Sequence, residues 1–81
     1  MIDQTRFLDT LTEIFRQELD NPKLELVMTS SQANIFDWDS LAHVRIILAV
    51  ERAFQVQFDV AEIEGIDSVR GIYDVIARHK G

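Results

Sequence analysis

The sequence has no cysteine, one proline, three glycines and no long apolar run, and each shortage excludes something. Without cysteine there is no disulfide scaffold, no zinc finger and no cysteine nucleophile. A thiol on this protein would have to come from a cofactor. The longest apolar run, residues 46–50, is five residues, far short of the roughly 20 that cross a bilayer. Met1-Ile2-Asp3-Gln4 lacks the basic stretch and apolar run of a signal peptide. A cytoplasmic protein with no membrane insertion is therefore expected. Bases are scarce as well, eight against fourteen acids for a net charge of −6. Nucleic-acid binders present a basic footprint, so no nucleic-acid partner is expected.

What is present is 81 residues with 47% hydrophobic content, well above the disordered class. The length predicts a single domain over residues 1–81, with a radius of gyration of roughly 12 Å. Such a body buries only about 60% of its unfolded surface and leaves little room for an enclosed cleft. Charge is uneven along the chain. Residues 1–40 carry a net −5, Asp59, Glu62, Glu64 and Asp67 form a −4 cluster, and the segment after it is +2.

Three segments read as longer helices. In the first, Phe7, Leu8, Leu11, Ile14, Phe15 and Leu19 recur at helical spacing, with Asp3 or Thr5 to cap the start and Asp20-Asn21-Pro22 to stop it. The second runs from Ser40 to about Phe54. The last starts at Asp67-Ser68, places Val69, Ile72, Tyr73 and Ile76 on one face, and ends in His79-Lys80-Gly81, which suits the helix dipole. Between the last two, Val60 to Ile63 can form one turn that Gly65 ends. Residues 20–39 are then a long connection, which Leu24, Leu26, Val27, Met28, Ile35 and Phe36 can anchor to a core. A strand over residues 24–28 is the alternative, but it has nothing to pair with.

The second helix has two apolar stripes. At about 100° per residue, Ile46, Ile47, Val50 and Phe54 fall on one side. Leu41, Val44 and Leu48 fall nearly opposite, beside Arg45, Glu51 and Arg52. Either the helix is covered on both sides or it shows an apolar strip to a partner. Ser40 stands at or beside the helix N-cap with a hydroxyl to spare. A plain cap is the simplest account of it.

In context, Asp39-Ser40-Leu41 resembles the modification motif of the acyl carrier protein family, and the resemblance extends over most of the chain. Phe36 matches the apolar residue three before the Asp. Val44, Ile47, Val50, Glu51 and Phe54 fit the helix after the motif, and residues 56–59 fit the link to a short acidic helix. Ile66-Asp67-Ser68-Val69 with Tyr73, Asp74 and Ile76 fits the last helix. Trp38 before the motif and His43 after it look like a stand-alone carrier branch, and the Gly-Gly-x-Ser form of peptidyl carriers is absent.

The resemblance implies an all-α, four-helix acyl-carrier-like bundle: three longer helices, one short third helix, and a long loop between helices 1 and 2. It implies that Ser40 accepts 4′-phosphopantetheine from coenzyme A through a separate Mg²⁺-dependent phosphopantetheinyl transferase, that Asp39 helps this transferase recognise the site, and that Asp39 and Leu41 belong to the cofactor site. The arm's thiol then carries an acyl group as a thioester between acyl-loading and acyl-transfer enzymes of fatty acid or secondary metabolite biosynthesis. The protein itself is expected to be a monomer and no enzyme. Partner contacts are expected at Leu41, Val44, Arg45, Leu48, Glu51, Arg52 and Glu62, and cargo would lie partly in the core against Ile46, Ile47, Val50 and Ile63. An unmodified helical interaction module, with Ser40 a plain cap, is the alternative.

Departures from the family pattern are informative. Asp37 replaces the usual Gly, and Asp tolerates the left-handed backbone such a turn would need. Arg45 and Arg52 stand where common carriers place acids, and Ala42 replaces an acid, so partners are expected to be apolar, neutral or acidic at this face. His43, one turn after Ser40, packs over the end of the core or lies near an attached phosphate. A Ser/His/Asp hydrolase lacks an oxyanion-hole glycine and the length for a pocket. Asp37-x-Asp39 is no calcium loop, because Ala42 and Leu48 stand where Gly and Glu are required. The acidic cluster at 59–67 reads as a solvated face or a partner contact, and no metal site is expected. Trp38 lies over the arm or fixes the loop to the core, the latter being preferred.

Overall fold

A computed structural model describes residues 3–80; Met1, Ile2 and Gly81, which the reading above placed at the two ends, lie outside the described residues. Four helices follow one another: α1 (Gln4–Glu18), α2 (Ser40–Phe54), α3 (Val60–Gly65) and α4 (Val69–Lys80). The expected all-α bundle is what forms, with a Cα radius of gyration of 11.4 Å.

The helix ends follow from local chemistry. Asp3 caps α1 by accepting the Thr5 N–H at 2.9 Å, and Asp20 ends the helix region in a left-handed turn at φ 52°. The chain leaves α2 through Gln55, also left-handed at φ 54°. Neither position is glycine, so each carries a modest backbone cost. At α3, a capping box joins Asp59 and Glu62, each side chain accepting the other residue's backbone N–H. This second closure lets a helix of only six residues hold its place.

Side chains from all the longer helices meet in one core. Phe7, Leu11 and Phe15 of α1, Ile46, Ile47 and Val50 of α2, and Val69, Ile72 and Ile76 of α4 are almost wholly removed from solvent. Aromatic contacts reinforce the meeting of helices. The Phe7 ring lies 5.7 Å from Phe54 and 5.1 Å, edge to face, from Tyr73.

Residues 20–39 are a long anchored connection rather than a strand. Among the described residues the chain forms only an isolated bridge, between Ser31 and Ser68. Leu26 is buried, and Leu24, Met28 and Ile35 pack against the core. Val27 and Phe36 do not. Val27 is exposed, and Phe36 is 97% exposed, so the anchoring expected of these two is corrected. The loop places their side chains outward while backbone bonds hold it.

Those bonds complete α4. A helix start leaves four N–H groups without intrahelical acceptors. Here Val69 N–H donates to the Ser30 carbonyl at 2.9 Å and Arg70 N–H to Met28 at 3.2 Å. Gly71 N–H donates to the Ser68 hydroxyl at 3.0 Å, and Ile72 N–H to the Ser68 carbonyl. The long loop is thus the cap of the last helix. Ser68→Ala removes one of these acceptors and is expected to lower stability by about 1 kcal/mol, read as a lower urea midpoint at unchanged m-value.

Candidate functional site

Ser40 stands at the first turn of α2. The N-cap is Asp39, whose carboxylate accepts the Ala42 N–H at 2.9 Å while its carbonyl accepts the His43 N–H at 2.8 Å. Ser40 is therefore the first helical residue and not the cap, which removes the plain-cap account of its hydroxyl. That side chain is exposed and has no hydrogen-bond partner among the described residues. The backbone N–H groups of Ser40 and Leu41 are likewise unpaired there. A free hydroxyl, two free donors and the positive end of a helix dipole suit an attached phosphodiester.

The turn into this helix differs in one respect from expectation. Among the described non-glycine residues only Asp20 and Gln55 have positive φ, so Asp37 does not adopt the left-handed backbone that its place in the pattern suggested. Its carbonyl instead accepts the Asp39 N–H at 3.0 Å. Phe36, just before it, projects into solvent beside the motif.

Behind Ser40 lies a buried polar chain. Trp38 is 2% exposed and meets the Phe15 ring edge to face at 4.8 Å, so it fixes the loop to the core. Its indole N–H donates to His43 Nδ1 at 3.0 Å. Because Nδ1 accepts, the ring proton sits on Nε2, which donates to the Ile63 carbonyl at 2.9 Å. His43 is 8% exposed and packs over the end of the core, with both ring nitrogens occupied. A histidine so engaged has no nitrogen left to act as a base toward Ser40. The spacing of His43 to Ile46, Ile47 and Val50 places it on the buried stripe of α2, a signal present in the sequence.

The opposite stripe of α2 is open. Leu41, Val44 and Leu48 are 74%, 52% and 51% exposed, so the helix is not covered on both sides. Arg45 lies 3.4 Å from the Glu18 carboxylate of α1. Arg52 has no ion pair among the described residues. Leu48, Glu51 and Arg52, with residues 55–57, line an open groove of about 460 Å³ at the end of the strip.

Glu51 and Glu62 both have internal duties. Glu51 is half-buried, and its carboxylate accepts the Phe58 N–H at 2.8 Å. Glu62 accepts the Asp59 N–H at 3.0 Å and pairs with Arg78 and His79 of α4, each at 3.1 Å. His79 in turn stacks on Phe58. The acidic stretch at 59–67 is thus partly neutralised by the basic end of α4. No group of potential metal ligands occurs among the described residues.

Comparison with known proteins places this geometry. A family model described as a phosphopantetheine attachment site matches residues 9–76. The chain belongs to the phosphopantetheine-attachment family. Among solved structures it is similar to the holo acyl carrier protein of Geobacter metallireducens, with 31% identity, a TM-score of 0.79, and coverage of 91% of this chain and 85% of that one. A search among curated proteins gave no match. The chain has the acyl carrier fold, and the cofactor of its family is covalently attached 4′-phosphopantetheine. The open hydroxyl and unpaired donors at the start of α2 fit that group. No helix among the described residues is long and apolar enough to cross a membrane.

Glu62 gives this fold a pH signature. The Asp59 N–H holds its carboxyl below the ordinary glutamate value, helped by His79 and Arg78. A depressed folded value adds stability above the unfolded value, and this is lost as pH falls through the folded one. Glu62→Gln is expected to flatten the acid limb of stability against pH, measured by urea unfolding across a pH series. An acid limb as steep as that of the unaltered protein would show that Glu62 takes no part.

Proposed function

We propose that this chain is an acyl carrier whose arm is attached at Ser40. The observation that carries the reading is the exposed, unbonded hydroxyl at the first position of α2, with the unpaired N–H groups of Ser40 and Leu41 beside it. When bound, 4′-phosphopantetheine supplies a flexible arm ending in a thiol, on which an acyl group is held as a thioester. The chain provides the rest. Asp39 spends its carboxylate on the Ala42 N–H, which fixes the first turn and keeps the Ser40 hydroxyl presented to a transferase. The backbone donors and the helix dipole then favour the charge of the phosphodiester. In this reading the protein has no catalytic activity of its own.

The exposed strip of α2 serves the partner enzymes. Leu41, Val44 and Leu48 offer apolar area; Arg52 flanks it with an exposed positive charge, and Arg45 stands beside it paired with Glu18 of α1. Glu51 points its carboxylate at Phe58 N–H, so this helix presents less acid outward than its composition implies. Partners suited to this strip are apolar or acidic where they meet α2.

Two measurements test the reading. Incubation with coenzyme A and a broad-specificity phosphopantetheinyl transferase should raise the intact mass by one phosphopantetheinyl group, and Ser40→Ala should abolish the increase. An unchanged mass for the unaltered protein would favour the unmodified interaction module. Arg45→Glu with Arg52→Glu should slow association with the cognate loading enzyme, by about tenfold or more at low salt, and should reverse its salt dependence, added salt then speeding association. Unchanged rates would rule out the charge argument.

A further inference from the structure

An acyl group on an arm at Ser40 has two places to go. It can enter the core between α2 and α3, or it can stay outside. Entry requires α3 to move away from α2, and the structure fastens α3 at several points. At its start, the Glu51 carboxylate of α2 accepts the Phe58 N–H at 2.8 Å. Further along, His43 of α2 donates to the Ile63 carbonyl at 2.9 Å. On the far side, Glu62 pairs with Arg78 and His79 of α4.

The His43 bond is the one nearest the attachment point. It lies one helical turn after Ser40 and is part-buried, and the His43 ring, itself buried, is held in place by Trp38 on the other nitrogen. Opening the seam there would break this part-buried bond and separate the imidazole N–H from the Ile63 carbonyl, a cost that burial of the acyl chain would have to exceed. Ile46, Ile47 and Val50 behind the seam are already almost wholly buried. Outside the seam, by contrast, Phe36, Leu41 and Val44 provide exposed apolar surface along the chain around Ser40.

We propose that His43 is a specificity-determining residue: its bond to the Ile63 carbonyl closes the seam between α2 and α3, so cargo on Ser40 stays outside the core and is a small or polar acyl group. This rests on the carrier reading above. It replaces the expectation that cargo lies against Ile46, Ile47, Val50 and Ile63.

The test uses the full chain loaded with butanoyl or octanoyl phosphopantetheine, with loading verified by intact mass. Methyl NMR spectra report the core isoleucines and Val50, and the indole N–H resonance reports the Trp38–His43 bond. In the unaltered protein, neither acyl group should shift the Ile46, Ile47 or Ile63 methyls or the Trp38 N–H relative to the arm alone. In His43→Leu, which removes the donor but keeps apolar volume, octanoyl should shift these methyls. His43→Gln, which can still donate toward Ile63, should restore the unshifted pattern for the isoleucines.

Core shifts in the loaded, unaltered protein would overturn the proposal and leave the carrier reading intact. So would a folded His43→Leu protein whose methyls ignore octanoyl. If His43→Leu does not fold, the comparison of butanoyl and octanoyl in the unaltered protein decides alone. A chain that takes up no arm would overturn both readings.

Discussion

The indole N–H of Trp38 is a donor inside a protein, and its ring is too deeply buried to give that proton to water. His43 Nδ1 is the acceptor it finds. An imidazole that accepts on one nitrogen donates on the other, and the Ile63 carbonyl receives that second bond. Two hydrogen bonds in series therefore fix the distance from the loop to α2 and from α2 to α3. Phe15, edge-on to Trp38, adds α1 to the same junction. Apolar packing alone would bring these elements together but would tolerate sliding. The directional bonds do not, and the position of Ser40 relative to the short helix follows from them.

Charge is arranged by the same economy. Counted along the chain, the acids form a broad negative label. In space, several are turned to internal use: Asp3, Asp39 and Asp59 accept helix-start N–H groups, Glu51 accepts the Phe58 N–H, and Glu62 draws the basic end of α4 toward α3. What remains outward on α2 is an apolar strip with Arg52 at its edge and Arg45 beside it paired to Glu18. Composition shows the number of charges, but only the fold shows which of them a partner meets.

Much of this was legible in the sequence, and the reasons for success and failure are physical. Helix starts were readable because Asp and Ser caps act locally, and the two stripes of α2 because its period is fixed. Of the two readings of Trp38, the preferred one, a loop anchor, is what its burial against Phe15 shows. Phe36 was misjudged because an aromatic side chain says nothing about the direction of the loop that bears it. The left-handed turns at Asp20 and Gln55 escaped notice because no glycine marks them. Asp39 and Ser40 could not be ranked as cap and first helical residue from order alone, since either can cap. The capping of α4 by Met28 and Ser30 was invisible for a deeper reason: it uses backbone carbonyls, which every residue possesses.

That last contact limits where this chain can change in length. A long surface connection ordinarily accepts insertions and deletions cheaply, because loop-closure entropy grows slowly. Here residues 28–30 must run antiparallel to the first turn of α4, with two carbonyls spaced to meet two successive N–H groups. A residue added or lost between those carbonyls breaks the spacing and uncaps a helix whose own sequence is untouched. An apparently free loop carries a fixed ruler within it.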